Sequence, residues 1–248
     1  MLTDPVKSVP QASRETPKKD VPSLFQVLVI GALILLSFAA SFLRPASAEE
    51  TALPILVNKS HPLPADYDVT GFILLNTVET DLFTVKNKNT YADPEATEAL
   101  LSLLADARKD GLDKWQISEA YRSVDAQQKI WDKNYQKYRN VNGLSKKKAL
   151  QAVERRVAKP GCSEHHTGLA FDMTVPGKAF RLTPHAKWLA THCQDYGFII
   201  RYTKDKEKYT GITEEPWHIR YVGIEHARKM VEENLCLEEY IEKYQNSL

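Results

Sequence analysis

An apolar stretch near the N-terminus is the strongest hydrophobic feature of the chain. Residues 24–43 form a run of twenty that is interrupted only by Gln26, Ser37 and Ser41. Twenty residues are long enough to cross a bilayer as a helix. The preceding residues 1–23 are polar and lean basic, so the pattern predicts that they remain in the cytoplasm.

Residues 24–48 allow two interpretations. The sequence Ala46-Ser47-Ala48 follows the apolar run and resembles a signal-peptidase site, which favours a cleaved signal peptide. The long polar leader and the long apolar core favour an uncleaved membrane anchor instead. Under both interpretations residues 49–55 are a linker, and everything after the apolar run is expected to be extracytoplasmic.

Helical spacing is clearest after Asp93, which together with Pro94 has the features of a helix N-terminus. The helix is expected to end at Gly111. Its apolar stripe comprises Ala96, Leu100, Leu103, Leu104 and Ala107. Further helices are predicted over 125–138, over 145–158, from Thr183 to near Gly197, and, as one or two helices, over 225–244.

Strands are predicted over 115–121, 169–173, 198–203 and 218–222. Within the second of these, large apolar residues alternate with Ala170 and Asp172, so Asp172 is expected on the opposite face. Helices between strands suit a parallel sheet, but the short link between the last two strands favours a hairpin. The expected fold class is α+β, in which a small antiparallel sheet packs against helices within one domain over residues 56–248.

Composition and cysteine count narrow the possible partners and cross-links. Residues 49–248 carry 28 Lys/Arg against 29 Asp/Glu, a balance that provides no electrostatic footprint for nucleic acid. The three cysteines Cys162, Cys193 and Cys236 leave at least one thiol without a partner in the chain. A Cys162–Cys193 disulfide would suit an exported protein, but the sequence does not decide it.

Two short segments carry the recognisable chemistry. Residues 163–172 read Ser-Glu-His-His-Thr-Gly-Leu-Ala-Phe-Asp, and residues 215–218 read Glu-Pro-Trp-His. A catalytic zinc site typically takes three protein ligands and leaves its fourth position to water, from which a nearby Glu can remove a proton. The segments supply two imidazoles and a carboxylate for such a site, with Glu215 left over as a base. The ligand candidates are His165, Asp172 and His218.

The spacing within the first segment requires a bend in the chain. His165 and Asp172 are seven residues apart, so in one continuous strand they would face opposite ways. Both can reach one ion only if the chain turns between them, and Gly168 is the residue able to make that turn. The remaining histidines are expected to be structural: His61, His166, His185, His192 and His226.

These segments resemble the VanY-type zinc D-alanyl-D-alanine carboxypeptidases, within the wider LAS group of metallopeptidases. The resemblance runs from about Leu56 to the C-terminus, although residues 68–84 depart from the family pattern. Besides the metal motifs, the matching positions are Asn58-Lys59, Pro62-Leu63, Tyr67, Tyr121-Arg122-Ser123, Gln127, Tyr196-Gly197-Phe198, Arg201-Tyr202 and Leu237-Glu238-Glu239-Tyr240.

The resemblance implies a hedgehog/D,D-peptidase-like fold and one zinc ion per chain. It assigns the ion to His165, Asp172 and His218 and makes Glu215 the general base. It also implies that Arg122 stabilises the substrate carbonyl or the oxyanion. Contacts to the terminal D-residue or to the peptide backbone would come from Ser163, Gln127 and Tyr202.

The implied activity is removal of the terminal D-Ala from peptidoglycan stem peptides. Within the same class, an L,D-carboxypeptidase, a D,D-dipeptidase and a peptidoglycan endopeptidase remain open. A different class is a non-catalytic zinc module that binds cell wall, which would keep the metal ligands without needing Glu215 or Arg122. Both of those residues are present, which favours an enzyme. The membrane is a further partner if the N-terminal segment stays uncleaved.

Overall fold

The fold is taken from a computed structural model that describes residues 52–245. The expected cytoplasmic leader (1–23), the signal peptide or anchor (24–48) and most of the linker (49–55) lie outside the described residues. Within the described part, no helix is long and apolar enough to cross a membrane.

A five-stranded sheet and the helices around it make up the architecture of residues 52–245. The strands, in chain order, are β1 (Ile73–Leu74), β2 (Phe83–Val85), β3 (Tyr91–Ala92), β4 (Trp115–Glu119), β5 (Ala170–Thr174), β6 (Phe198–Tyr202) and β7 (Glu215–Tyr221). The helices are α1 (Pro94–Lys109), α2 (Val124–Gln136), α3 (Lys146–Glu154), α4 (Pro184–His192), α5 (Glu207–Thr210), α6 (Ile224–Glu232) and α7 (Leu237–Tyr244).

The main sheet has the order β2-β4-β5-β7-β6, while β1 and β3 pair separately. The pairs β4–β5, β5–β7 and β7–β6 are antiparallel, and β6 and β7 are adjacent, as the predicted hairpin requires. The edge strand β2 runs parallel to β4. The α+β prediction is therefore confirmed, and the sheet is antiparallel everywhere except at this edge. Strand β2 begins within residues 68–84, the stretch where the chain departs from the family pattern.

The larger apolar core lies on one face of the sheet. Phe171 and Met173 of β5 and Ile219 of β7 are completely buried there, packed with the apolar face of α1. The buried positions of α1 include every residue of the predicted stripe: Ala96, Leu100, Leu103, Leu104 and Ala107. Asp93 caps this helix by accepting a hydrogen bond from the Ala96 amide at 3.0 Å. On the opposite face, polar side chains lie beside a smaller apolar cluster that joins Ile199 of β6 to α6 and α7.

Several element boundaries differ from prediction by a few residues, among them the ends of β4 and α3 and the start of β7. Strand β4 ends at Glu119 because the next amides bond elsewhere: Tyr121 donates to the carbonyl of Tyr91, and Arg122 donates to that of His165. Helix α3 ends at Glu154 rather than near residue 158, since the Arg155 carbonyl accepts from Thr213. Strand β7 begins at residue 215, three residues before the predicted start.

Candidate active site

The pairing of β5 with β7 places Asp172 directly opposite His218. Residues opposite each other in an antiparallel pair project from the same face, with neighbouring side chains. The Oδ1 atom of Asp172 lies 3.0 Å from Nδ1 of His218. Both side chains project away from the core face that holds Phe171 and Ile219. The expected orientation of Asp172 is therefore confirmed.

A tight turn brings His165 to the same place. The chain forms a 3-10 turn over residues 164–167 and reverses at Gly168, whose φ is +70°. A Cβ atom at Gly168 would lie 2.6 Å from the ring of Phe72 and 3.0 Å from the Asp93 amide nitrogen. Both the left-handed backbone and the close approach therefore require glycine. The bend predicted at Gly168 is confirmed, and it carries His165 Nε2 to 3.5 Å from Asp172 Oδ1.

His165, Asp172 and His218 form a group able to hold one metal ion. Each offers a ligand atom, and the three atoms lie within 4.8 Å of one another. Nδ1 of His165 hydrogen-bonds to the carbonyl of Ala120 at 2.7 Å. Since a carbonyl can only accept, Nδ1 carries the proton and Nε2 keeps its lone pair for a ligand. The donor set of two imidazoles and one carboxylate suits zinc.

The electrostatics of the site also favour a cation. Burial alone would lower the pKa of His218, but the neighbouring carboxylates of Asp172 and Glu164 raise it to about 9. Burial would raise the pKa of Asp172, but His165 and His218 hold it well below its usual range. Positive charge is thus stabilised between these side chains. The residues present fit a divalent metal ion.

Glu215 stands at the start of β7, opposite Tyr202 of β6. It is half-buried and lines the pocket that contains the three ligand candidates. Among residues 52–245 no side chain forms a hydrogen bond or ion pair with its carboxylate. Burial raises the pKa of Glu215 to about 7, against a lowering by His218. A carboxylate with that pKa can both accept and return a proton near neutral pH.

Arg122 is held at the pocket by two side chains. Its Nε lies 3.2 Å from a carboxylate oxygen of Glu119, and its Nη1 donates to Gln127 Oε1 at 2.7 Å. Gln127 is buried, and its Nε2 donates to the carbonyl of Ala158 at 2.6 Å. Gln127 therefore positions Arg122, and the direct substrate contact expected of Gln127 stays a prediction.

Ser163 and Tyr202 complete the expected substrate set. Ser163 is buried, and its hydroxyl makes no hydrogen bond to any residue that the structure describes. The ring of Tyr202 packs against that of His218 with centroids 5.0 Å apart. Burial raises the pKa of Tyr202 well above its usual value, so the phenol remains protonated. Both residues line the pocket, so both are placed where they could contact a substrate, and their substrate contacts stay predictions.

All eight side chains singled out from the sequence line this one pocket, which has a volume of about 170 Å³. Arg156 and Trp217 also line it, although the sequence singled out neither. Trp217 belongs to the Glu-Pro-Trp-His motif, so the sequence offered a signal for it. Arg156 lies just after the end of α3 at Glu154, and no sequence pattern pointed to it. A larger cavity of about 820 Å³ adjoins the pocket. The two share the wall residues Val157, Ala158, Tyr202 and Ile212.

His166 and the three cysteines are the other residues with possible chemistry that the sequence raised. Both ring nitrogens of His166 face backbone groups, the Gly161 amide at 3.1 Å and the Arg122 carbonyl at 2.6 Å. The structural role predicted for His166 is confirmed. The three cysteines are free thiols, so the Cys162–Cys193 bridge is not formed.

Comparison with known proteins agrees with this geometry. The family model for VanY, D-alanyl-D-alanine carboxypeptidase, matches residues 89–224. A curated D-alanyl-D-alanine carboxypeptidase of Enterococcus faecalis is 37% identical over 187 residues. That match covers 75% of this chain but only 65% of the relative, so the chain spans about two thirds of that protein's length.

Solved structures give the same result at the level of the fold. A mutant of the vancomycin-resistance D,D-pentapeptidase VanY, in complex with Zn(II), is 37% identical with a TM-score of 0.65. The match covers 75% of this chain and 97% of that one. The LD-carboxypeptidase LdcB is 36% identical with a TM-score of 0.62, and the match covers 76% of this chain and 85% of that one. The chain belongs to the VanY D-alanyl-D-alanine carboxypeptidase family.

Proposed function

We propose that this protein is a zinc-dependent carboxypeptidase that removes the terminal D-Ala from peptidoglycan stem peptides. One observation carries the proposal: His165, Asp172 and His218 converge on a common point, while Glu215 lines the same pocket without an ion-pair partner among residues 52–245. A structural zinc site has no need for an extra carboxylate beside three ligands. A hydrolytic site needs one as its base.

The residues of the pocket divide the hydrolysis between them. A zinc ion bound by His165, Asp172 and His218 supplies a Lewis acid and lowers the pKa of water to roughly 7. Glu215 accepts a proton from the water that attacks the scissile carbonyl. Its pKa of about 7 allows it to pass that proton to the departing amine of D-Ala. The peptide bond is broken, water is consumed, and Glu215 returns to its starting form.

Arg122 supplies the fixed positive charge for the carbonyl oxygen or for the terminal carboxylate. Glu119 and Gln127 hold its guanidinium at the pocket wall, so the donors are in place before substrate arrives. Preorganised donors stabilise developing negative charge without reorganising at the moment of reaction. The hydroxyl of Ser163 lines the same pocket and makes no hydrogen bond within residues 52–245, so it is available to a substrate.

The adjoining cavity supports a peptide substrate longer than two residues. Its volume of about 820 Å³ falls in the range of ligand pockets that bury most of a bound molecule. The cavity shares a wall with the metal pocket. When the last peptide bond of a stem peptide lies in the metal pocket, the cavity has room for the residues that precede that bond.

Product analysis tests the activity directly. Purified protein loaded with zinc is incubated with a stem pentapeptide ending in D-Ala-D-Ala, a tetrapeptide ending in a single D-Ala, and the dipeptide D-Ala-D-Ala. We expect mass spectrometry to show loss of one D-Ala from the pentapeptide, at the highest kcat/KM of the three. Preference for the tetrapeptide would make the enzyme an L,D-carboxypeptidase, and preference for the dipeptide a D,D-dipeptidase. If none of the three substrates is cleaved, the remaining interpretation is a non-catalytic zinc module that binds cell wall.

Metal analysis tests the ligand set. We expect one zinc ion per chain, lost on dialysis against a strong chelator and lost in His165→Ala and His218→Ala. His61 is exposed and bonds only to Asn58 among the described residues, so His61→Ala is the matched control and should keep its zinc. Full zinc content in either ligand variant would contradict the assignment.

Glu215→Gln separates the base from the ligands. Since the amide cannot accept the proton, we expect turnover to fall by about 10²–10⁴-fold while zinc content is retained. Glu214→Gln is the control, because Glu214 pairs with Arg181 at the surface and should leave turnover unchanged. Loss of zinc from Glu215→Gln would make Glu215 a ligand instead.

Arg122→Lys tests the fixed guanidinium. Lysine keeps the charge but cannot present the same fork of donors, so we expect kcat/KM on the pentapeptide to fall by up to about 10²–10³-fold. Fold and zinc content should persist. Arg108→Lys at an exposed ion pair is the control. A lower Tm with unchanged kinetics would mean that Arg122 only braces the structure.

We also propose that the catalytic unit works outside the cytoplasm. The support is the apolar stretch at 24–43 behind a basic leader, together with a proposed substrate that belongs to the cell wall. Protease added to intact, wall-stripped cells should digest residues 56–248, and full protection of that unit would contradict the proposal.

A further inference from the structure

A cluster of buried charges lies directly behind the metal pocket. Its members are Glu164 from the turn before β5, Arg201 of β6 and Arg220 of β7, each 0–1% exposed. Arg201 Nε donates to Glu164 Oε1 at 2.7 Å, and Arg220 Nη1 lies 3.1 Å from the same oxygen. On its other side, Arg201 forms two hydrogen bonds, of 2.9 and 2.7 Å, to Glu238 of α7.

Charges buried this deeply need a reason beyond stability. Removing ions from water is costly, and a buried ion pair is often no more stabilising than apolar side chains of similar volume. Each arginine forms an ion pair with Glu164, and the side chains of all three residues are completely shielded from solvent. The cluster therefore holds the carboxylate of Glu164 at a position with no solvent exposure.

The two arginines occupy only one oxygen of that carboxylate. The second oxygen, Glu164 Oε2, is buried and makes no hydrogen bond of normal length to the described residues. It faces Nε2 of His218 at 3.5 Å, and this nitrogen is likewise buried without such a bond. Neither of these two buried atoms has a hydrogen-bond partner elsewhere among residues 52–245.

We propose that Glu164 is a positioning residue that fixes the tautomer and the orientation of His218. Its Oε2 accepts the Nε2 proton of His218, which leaves the lone pair on Nδ1, the nitrogen 3.0 Å from Asp172 Oδ1. The Ala120 carbonyl does the same for His165 from the opposite ring nitrogen. Outer partners of this kind orient metal-bound imidazoles and raise their basicity. The proposal rests on the metal site of the proposed function.

Arg201 and Arg220 fix the orientation of the Glu164 carboxylate towards His218. Because both bind Oε1, the carboxylate cannot rotate without losing an ion pair, and Oε2 is kept towards His218. The sheet fixes the other side, since Arg220 and His218 are two residues apart in β7 and project from the same face.

Zinc affinity of two matched variants tests the proposal. Glu164→Gln removes the charge facing His218, whereas Glu238→Gln removes a charge from the far side of the same arginine and leaves the Glu164–His218 contact in place. Both should lower the Tm, because each leaves a buried arginine with one carboxylate fewer. In competition with a chromogenic chelator, Glu164→Gln should bind zinc about 10–100-fold more weakly, and Glu238→Gln should match the unchanged protein.

Equal zinc affinity of Glu164→Gln and the unchanged protein would overturn the proposal. An equal loss in both variants would also overturn it, because the role would then be structural. If the unchanged protein binds no zinc, the proposed function itself fails, and that outcome is distinct from the other two.

A measurement on the unchanged protein covers the case in which Glu164→Gln does not fold. NMR of the zinc-loaded protein with ¹⁵N-labelled histidine should show His218 bound through Nδ1, with a slowly exchanging proton on Nε2. A metal-bound Nε2, or an Nε2 proton in rapid exchange with water, would rule out the contact with Glu164.

Discussion

The antiparallel register of β5 against β7 is the constraint on which the site depends. It sets Phe171 opposite Ile219 on the core face and Asp172 opposite His218 on the other. A shift of one residue would exchange these faces, burying the carboxylate in the core and exposing the apolar side chains. The burial of the apolar residues therefore fixes the position of the two ligand candidates. The third, His165, needs only the turn at Gly168 to reach them.

The charged side chains on the polar face of the sheet form two layers. Nearest the pocket, the carboxylate of Asp172 lies within 3.5 Å of both imidazoles, an arrangement that suits a bound cation. Behind it, Arg201 and Arg220 form ion pairs with the fully buried carboxylate of Glu164. Because interactions between charges strengthen in a low dielectric, the deeper layer can hold the outer one in a defined geometry. A catalytic site on this face gains precise positioning at the cost of several buried charges.

The sequence predicted most of the site residues, but it predicted less of the structure that holds them in place. The sequence could predict His165, His218, Asp172 and Glu215 because metal chemistry demands a few residue types at limited spacings. All four line one pocket. Strand β2 was missed because its three residues are too short to show a period. The role of Glu164 was missed because one carboxylate beside a ligand carries no periodic signal. Arg201, a charge inside the apolar strand β6, was the visible hint of a buried partner.

Anomalous X-ray diffraction at the zinc edge, on crystals of the zinc-loaded protein, tests the central claim most directly. The account predicts a single strong anomalous peak between Nε2 of His165, Oδ1 of Asp172 and Nδ1 of His218, with Glu215 outside the coordination shell. A peak elsewhere on the chain, or direct coordination by Glu215, would contradict it.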